Sequence, residues 1–261
     1  MLLEAVFSGH PPIPACSLGH CTCWPPEFRS WPAPQWVPFA IHEKMAAHKK
    51  ACMKHPVVRF KNLTVALKEL EPFIRSGEHL QSGKPFENLH GMRSREAVAN
   101  WLICVAANHE YGTDRMSFAS DPIGGDGILQ DAATGNTWQM EHVMVRRALS
   151  PAEKANLKPV KTQILEAVSA KQAKGGAAYA SGKQLVVFLD SGNGEWYPNR
   201  VARSLPQPLL FDDVWVIGLH GQVTDEYVYS VTQLDLSSGN APTWLVRIAP
   251  DFQSWIVARH Q

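Results

Sequence analysis

A chain of 261 residues that is 45% hydrophobic and 19% charged, with a formal net charge of +1, has the balance of a folded globular protein of one or two domains. The near-neutral total does not demand a nucleic-acid partner, although an average can hide basic patches. No apolar run approaches the roughly 18 residues of a bilayer-spanning helix, so no membrane partner is expected and the chain reads as cytoplasmic.

Residues 1–40 form a leader rich in proline, tryptophan and cysteine, with Trp24, Trp31 and Trp36 set among prolines that forbid regular helix or central strand. Cys16, Cys21 and Cys23 stand near His10 and His20. Their spacing matches no common zinc ribbon or finger, so a reduced, extended strap is the expectation and zinc the alternative. Such a segment would suit docking onto a protein partner. Residues 41–90 read as a helical extension, carried by Leu63, Ala66, Leu67, Leu70 and Ile74 at three- and four-residue spacing and interrupted by Pro72.

Residues 91–261 then alternate between the two periodicities. A helix is expected over 95–108, capped by Ser94, with the stripe Val98, Trp101, Leu102, Val105 and Ala106; Cys104 falls among these apolar residues as core. A short strand over 115–119 and a hairpin follow, the hairpin running from Asp121-Pro-Ile-Gly-Gly-Asp126-Gly into Thr137-Trp-Gln-Met-Glu141-His-Val-Met-Val145. A second helix is expected over 161–174, closed by Gly175-Gly176. Continuous apolar runs at 185–189 and 214–219, joined through a short helical piece at 200–205, predict two buried parallel strands, and 227–234 with 244–248 a closing hairpin.

The chemistry concentrates in the hairpin. Side chains alternate along residues 137–145, so Gln139, Glu141, Val143 and Val145 share one face and His142 points to the other. A glutamate among sheet-buried positions is costly unless it is paired or bound to metal. Asp126, at the mouth of the neighbouring strand, can approach it. Two carboxylates brought together repel, and a hard cation such as Mg²⁺ or Mn²⁺ relieves that repulsion and can activate water against phosphorus. Lys171 shares a helix stripe with Ile164 and Val168 and so faces the sheet, where this site is its natural partner; a helix-end surface position is the plainer explanation. A basic run that includes Arg146, Arg147, Lys158 and Lys161 follows the hairpin and is placed to neutralise backbone phosphates.

Over residues 90–220 the order of elements and the acidic hairpin resemble the PD-(D/E)xK nuclease superfamily. The resemblance implies a three-layer, restriction-endonuclease-like α/β core, a mixed central sheet flanked by helices, with the Pro-rich leader and helical extension before it. It implies that Asp126 is a metal ligand and that Glu96 matches the accessory glutamate some members use. The second acid is either Glu141, which puts Val143 at the usual lysine position, or Gln139, which puts Glu141 there. Members also recruit the missing polar group from the following helix, which is where Lys171 lies. The implied activity is metal-dependent hydrolysis of nucleic acid, DNA above all, by Asp126, Glu141, Gln139 and Lys171 as catalytic groups, with the metal on Asp126, Glu141 and Glu96. The alternative is a nuclease-like domain that binds nucleic acid or protein within a larger assembly without cutting, which the absent lysine favours.

Overall fold

In the first described helix, apolar side chains at three- and four-residue intervals face a common core. The computed structural model describes residues 60–77, 91–122, 124–148, 150–190, 195–223 and 225–261, all within the unit Phe39–Gln261. The leader, its cysteines and most of the 41–90 extension lie outside the described residues. Helix α1 (Leu63–Ser76) starts where Asn62 Oδ1 accepts the N–H groups of Thr64 and Val65 at 3.0 and 3.1 Å, and it ends at Gly77 in the left-handed conformation. Ala66, Leu67, Leu70 and Ile74 are buried as their spacing predicts, and Pro72 is accommodated inside the helix. Helix α2 (Ser94–Tyr111) begins one residue earlier than expected, so Arg93 and not Ser94 is the cap residue. It is buried nearly all round: α1 covers one side, β-strands cover the other, and Trp101 Nε1 donates to Leu63 O at 2.8 Å.

Among the described residues eight strands make one sheet in chain order: β1 (Met116–Ala119), β2 (Ile128–Asp131), β3 (Thr137–Val145), β4 (Lys183–Leu189), β5 (Asp213–Val223), β6 (Glu226–Gln233), β7 (Thr243–Ile248) and β8 (Trp255–Arg259). The β3–β4 and β4–β5 pairs are parallel and the rest antiparallel, giving an α/β domain with a mixed sheet. Alternation sends Trp138, Met140, Val186, Phe188, Trp215 and Ile217 into the cluster shared with α2. Val145, Leu185, Val187, Leu189 and Val216 go into a second cluster, with Ile164 and Val168 of α4 (Val160–Ala180) and Val201 of α5 (Pro198–Ala202). A one-turn helix, α3 (Pro151–Ala155), precedes α4. Among the described residues no helix is long and apolar enough to cross a membrane.

Two departures from the expected elements bear on function. Helix α4 does not stop at residue 174: Gly176 takes φ 57 and ψ −153, and the chain re-enters a helical turn that ends at Ala180. Strand β2 pairs with β3 only from Gln130↔Thr137 to Ile128↔Gln139, after which one further pair of bonds links residues 126–127 to Met140. From Glu141 onward β2 no longer flanks β3, and the loop before β2 turns away.

Candidate functional site

Where that loop leaves β3, a cavity of about 460 Å³ opens. The start of α2 contributes Arg93 and Glu96, the β1–β2 loop Asp121 and Asp126, β3 Glu141 and His142, and α4 Lys171, Lys174 and Tyr179. Asp126 is held from both ends. Its Oδ2 accepts the His142 N–H at 2.7 Å and so caps the strand edge that β2 has vacated; its carbonyl accepts from Asn100 Nδ2 at 3.2 Å. The second bond needs glycine next door, because a Cβ on Gly127 would stand 2.2 Å from Asn100 Nδ2.

Glu141 points toward α4, as the alternation requires, and is 7% exposed. Lys183 Nζ donates to its Oε1 at 2.7 Å, Lys171 Nζ to its Oε2 at 3.3 Å, and the Tyr179 hydroxyl donates to Oε2 as well. Burial pushes this carboxyl up, but the hydrogen bonds from Lys183 and Tyr179 and the charge of Lys171 outweigh it and hold it below the ordinary glutamate value. The Tyr179 phenol is pushed above its ordinary value by burial and by the bond to Glu141. Tyr179 reaches the site because of the break at Gly175–Gly176. A Cβ on Gly175 would lie 2.6 Å from the Tyr179 Cβ, and Gly176 has positive φ.

No protein-family model, curated protein or solved structure matches this chain. Asp126, Glu141 and Lys171 arrive at one cavity. Gln139 does not line it: it lies earlier on β3, where β2 still pairs, so the acid available to the cavity from this strand is Glu141. Glu96 lines the cavity but is folded back onto its own helix. Its Oε2 accepts the Arg93 N–H at 2.9 Å, and Arg93 Nε and Arg95 Nη2 stand 3.8 Å from Oε1. Burial, then the charge of Asp126, raise the Glu96 carboxyl above its ordinary value. Among the described residues no three His, Cys, Asp or Glu side chains converge as a metal set, so the expected trio Asp126, Glu141 and Glu96 is not assembled. Glu96 serves its helix terminus and Glu141 its lysines.

His142 faces α2, away from Glu141, and its Nε2 lies 3.0 Å from Asn100 Oδ1. Since Asn100 Nδ2 donates to the Asp126 carbonyl and to Met92 Sδ, its Oδ1 is left to accept, which makes His142 Nε2 the donor. The buried Nδ1 has no partner among the described residues, and burial followed by the charges of Lys171 and Arg95 lowers the ring to about 3, so it is neutral. Arg146, Arg147, Lys158 and Lys161 lie outside the cavity lining. Arg147 pairs with Asp190 at 3.6 Å and Lys158 with Glu166 at 2.6 Å. Lys161 sits in the first turn of α4, about 15 Å along the axis from Lys171 at 1.5 Å per residue.

Lys183 and Tyr179 are the residues that sequence reasoning missed. For Lys183 a signal existed: it shares the buried face of Leu185 and Val187, and a lysine there needs a partner. Tyr179 carried none, because two consecutive glycines read as the end of a helix.

Proposed function

We propose that this domain is a metal-dependent nuclease, acting on phosphodiester bonds of nucleic acid and above all DNA, with a three-layer core of the restriction-endonuclease-like kind. The order α2, β1, β2, β3, α4, β4, with β3 and β4 parallel, supports that layering. One observation carries the activity. Asp126 and Glu141 line a single cavity where β2 leaves β3, and two lysines stand on Glu141 although the position two residues after it is Val143. The lysine absent from the strand is supplied from α4 and β4.

Two carboxylates suit Mg²⁺ or Mn²⁺, which is commonly held by one or two protein carboxylates and otherwise by water and substrate oxygens. When bound, the ion would acidify a water and neutralise charge developing on the phosphate. Asp126 and Glu141 would hold it. Lys183 and Lys171 keep Glu141 ionised and oriented, and Lys171, which lines the cavity, would steady the scissile phosphate or its attacking water. Arg146, Arg147, Lys158 and Lys161 would follow the strand outside the cavity through backbone phosphates. This reading takes the chain as cytoplasmic, with residues 1–40 as a segment for a protein partner.

A second reading rests on the same glutamate. Both Glu141 oxygens already accept hydrogen bonds, which suits a domain that binds nucleic acid or protein without cutting. Incubating the full chain with plasmid and linear DNA, in Mg²⁺, Mn²⁺ or EDTA, beside Asp126→Ala, separates the two. Cleavage that needs metal and disappears in the variant is expected. No cleavage in either metal, together with no Mn²⁺ binding heat in the parent, leaves the non-cutting reading standing.

A further inference from the structure

Three ammonium groups surround one aromatic ring at the cavity. Lys183 Nζ lies 4.5 Å from the Tyr179 ring centroid, and Lys171 Nζ and Lys174 Nζ each lie 5.9 Å from it. Lys171 and Lys174 share a helix face at three-residue spacing, and Lys183 arrives from the first residue of β4. One carboxylate, Glu141, pairs with Lys183 at 2.7 Å and with Lys171 at 3.3 Å. Lys174 is exposed and has no ion-pair partner among the described residues. Like charges gathered this closely repel, and the face of a tyrosine offsets only part of that repulsion. The cluster therefore holds more positive charge than its own carboxylate cancels.

The cavity lining is also divided. Glu96, Asp121 and Asp126, with Arg93, come from the α2 side and the β1–β2 loop, whereas Lys171, Lys174 and Tyr179 come from α4. The Gly175–Gly176 break is what turns Tyr179 back among the lysines, since the close approach of its Cβ to residue 175 leaves no room for a side chain there. The glycine break thus sets an aromatic face among ammonium groups that stand on two separate elements, α4 and β4.

We infer that the lysine-ringed Tyr179 is an anion subsite that takes a backbone phosphate of a nucleic-acid strand, next to the bond presented to Asp126 and Glu141, and that it does so without metal. Ammonium groups are compact donors matched to phosphate oxygens. Lys174 carries the subsite from the cavity to the exposed surface, so a chain can continue outward from it. The ligand's identity as nucleic acid rests on the nuclease reading; the anion subsite itself does not.

The test uses the full chain in EDTA, where cutting is off, and fluorescence anisotropy of a fluorescein-labelled single-stranded DNA oligonucleotide over a range of salt concentrations. Lys174→Ala should weaken binding about three- to tenfold and reduce the salt dependence of log Kd by about one. Lys174→Glu should weaken it further, and Lys174→Arg should bind like the parent. Binding and salt slope unchanged in both Lys174→Ala and Lys174→Glu would overturn the subsite, as would a parent that gives no anisotropy change at low salt. Inorganic phosphate that displaces the oligonucleotide as readily as a second oligonucleotide does would overturn the assignment to a strand. A parent that never cuts in Mg²⁺, while the Lys174 variants lose binding, refutes the nuclease reading alone. A parent that cuts, with binding indifferent to residue 174, refutes the subsite alone.

Discussion

The β2–β3 hairpin buries a carboxylate near each end, and the two ends put the same chemistry to different use. Near the turn, Asp131 is 3% exposed and is closed by its neighbours. Arg115 grips it as a fork, Nε to Oδ1 at 2.8 Å and Nη2 to Oδ2, while the Ala133 N–H and the Thr134 hydroxyl each donate at 2.9 Å. One guanidinium meets one carboxylate, the remaining donors are turn residues, and Arg115 also stacks over Tyr111 at 4.3 Å. Near the open end, Glu141 is also buried and accepts hydrogen bonds on both oxygens, yet its donors come from α4 and β4 and it faces a cavity shared with Asp126. Burial and hydrogen bonding alone do not mark a functional acid. What separates the two ends is whether the surrounding charge balances and whether there is room for something else.

The two ends should differ most in activity. Asp126→Ala should lower Mg²⁺-dependent cleavage on the order of a thousandfold, the several kcal/mol that a held metal contributes. It should cost only about 1 kcal/mol of stability, because what the fold loses is the bond to the His142 N–H. A plasmid-nicking assay beside a urea melt checks both halves, and an Asp126→Ala protein that cuts normally sinks the site. At the turn end the pattern should invert. Asp131→Ala strands a mostly buried Arg115 and should destabilise the domain by roughly 2–4 kcal/mol, with cleavage below the melting transition within about twofold of the parent. If that variant stays folded but stops cutting, the two ends are not separable.

Acid should expose the same contrast at smaller amplitude. For Asp131, burial raises the carboxyl, but the bonds from Arg115 and Thr134 prevail and its folded value lies below the ordinary one; Glu141 is lowered by Lys183, Tyr179 and Lys171. A depressed carboxylate contributes stability that is present above its unfolded value, near 4, and is lost as pH falls through the folded value. Glu96 is raised and runs the other way, so part of the loss is offset as it protonates. Urea melts at pH 7 and near pH 3 should therefore show Asp131→Asn and Glu141→Gln less stable than the parent at pH 7, with the gap narrowing in acid. A gap that stays constant would mean these carboxylates do not titrate as their surroundings demand.

Much of this fold was legible because each strand states its own environment. The alternation of residues 137–145 placed Glu141 on the α4 face, and the unbroken apolar run at 185–189 announced a strand covered on both sides. Lys171 could be aimed at the sheet from its spacing to Ile164 and Val168 alone. What could not be read depends on contacts between elements. Strand β8 was missed because its five residues lie half in solvent at a sheet edge, where burial imposes no strict alternation. Glu96 resembled a ligand because its position matched, whereas its local partner, the Arg93 N–H, decided its orientation. Lys183 needed the parallel register of β3 and β4 before it could be set beside Glu141.

The smallest expected effect tests the feature hardest to read, the glycine break in α4. Gly175→Ala favours helix by about 0.5–1 kcal/mol in isolation, yet its new methyl would meet Tyr179 Cβ at 2.6 Å, so the last turn must shift. The two effects oppose, and the net change in stability should stay within about 1 kcal/mol. The Tyr179 hydroxyl, however, would leave Glu141, and a phenol now raised by burial and by that bond should titrate closer to an ordinary tyrosine. Ultraviolet difference titration of the variant against the parent, with Tyr179→Phe to identify the signal, reads this directly. A titration unchanged by Gly175→Ala would mean that Tyr179 holds its place without the glycine, and that the break in α4 does not serve the open end of the hairpin.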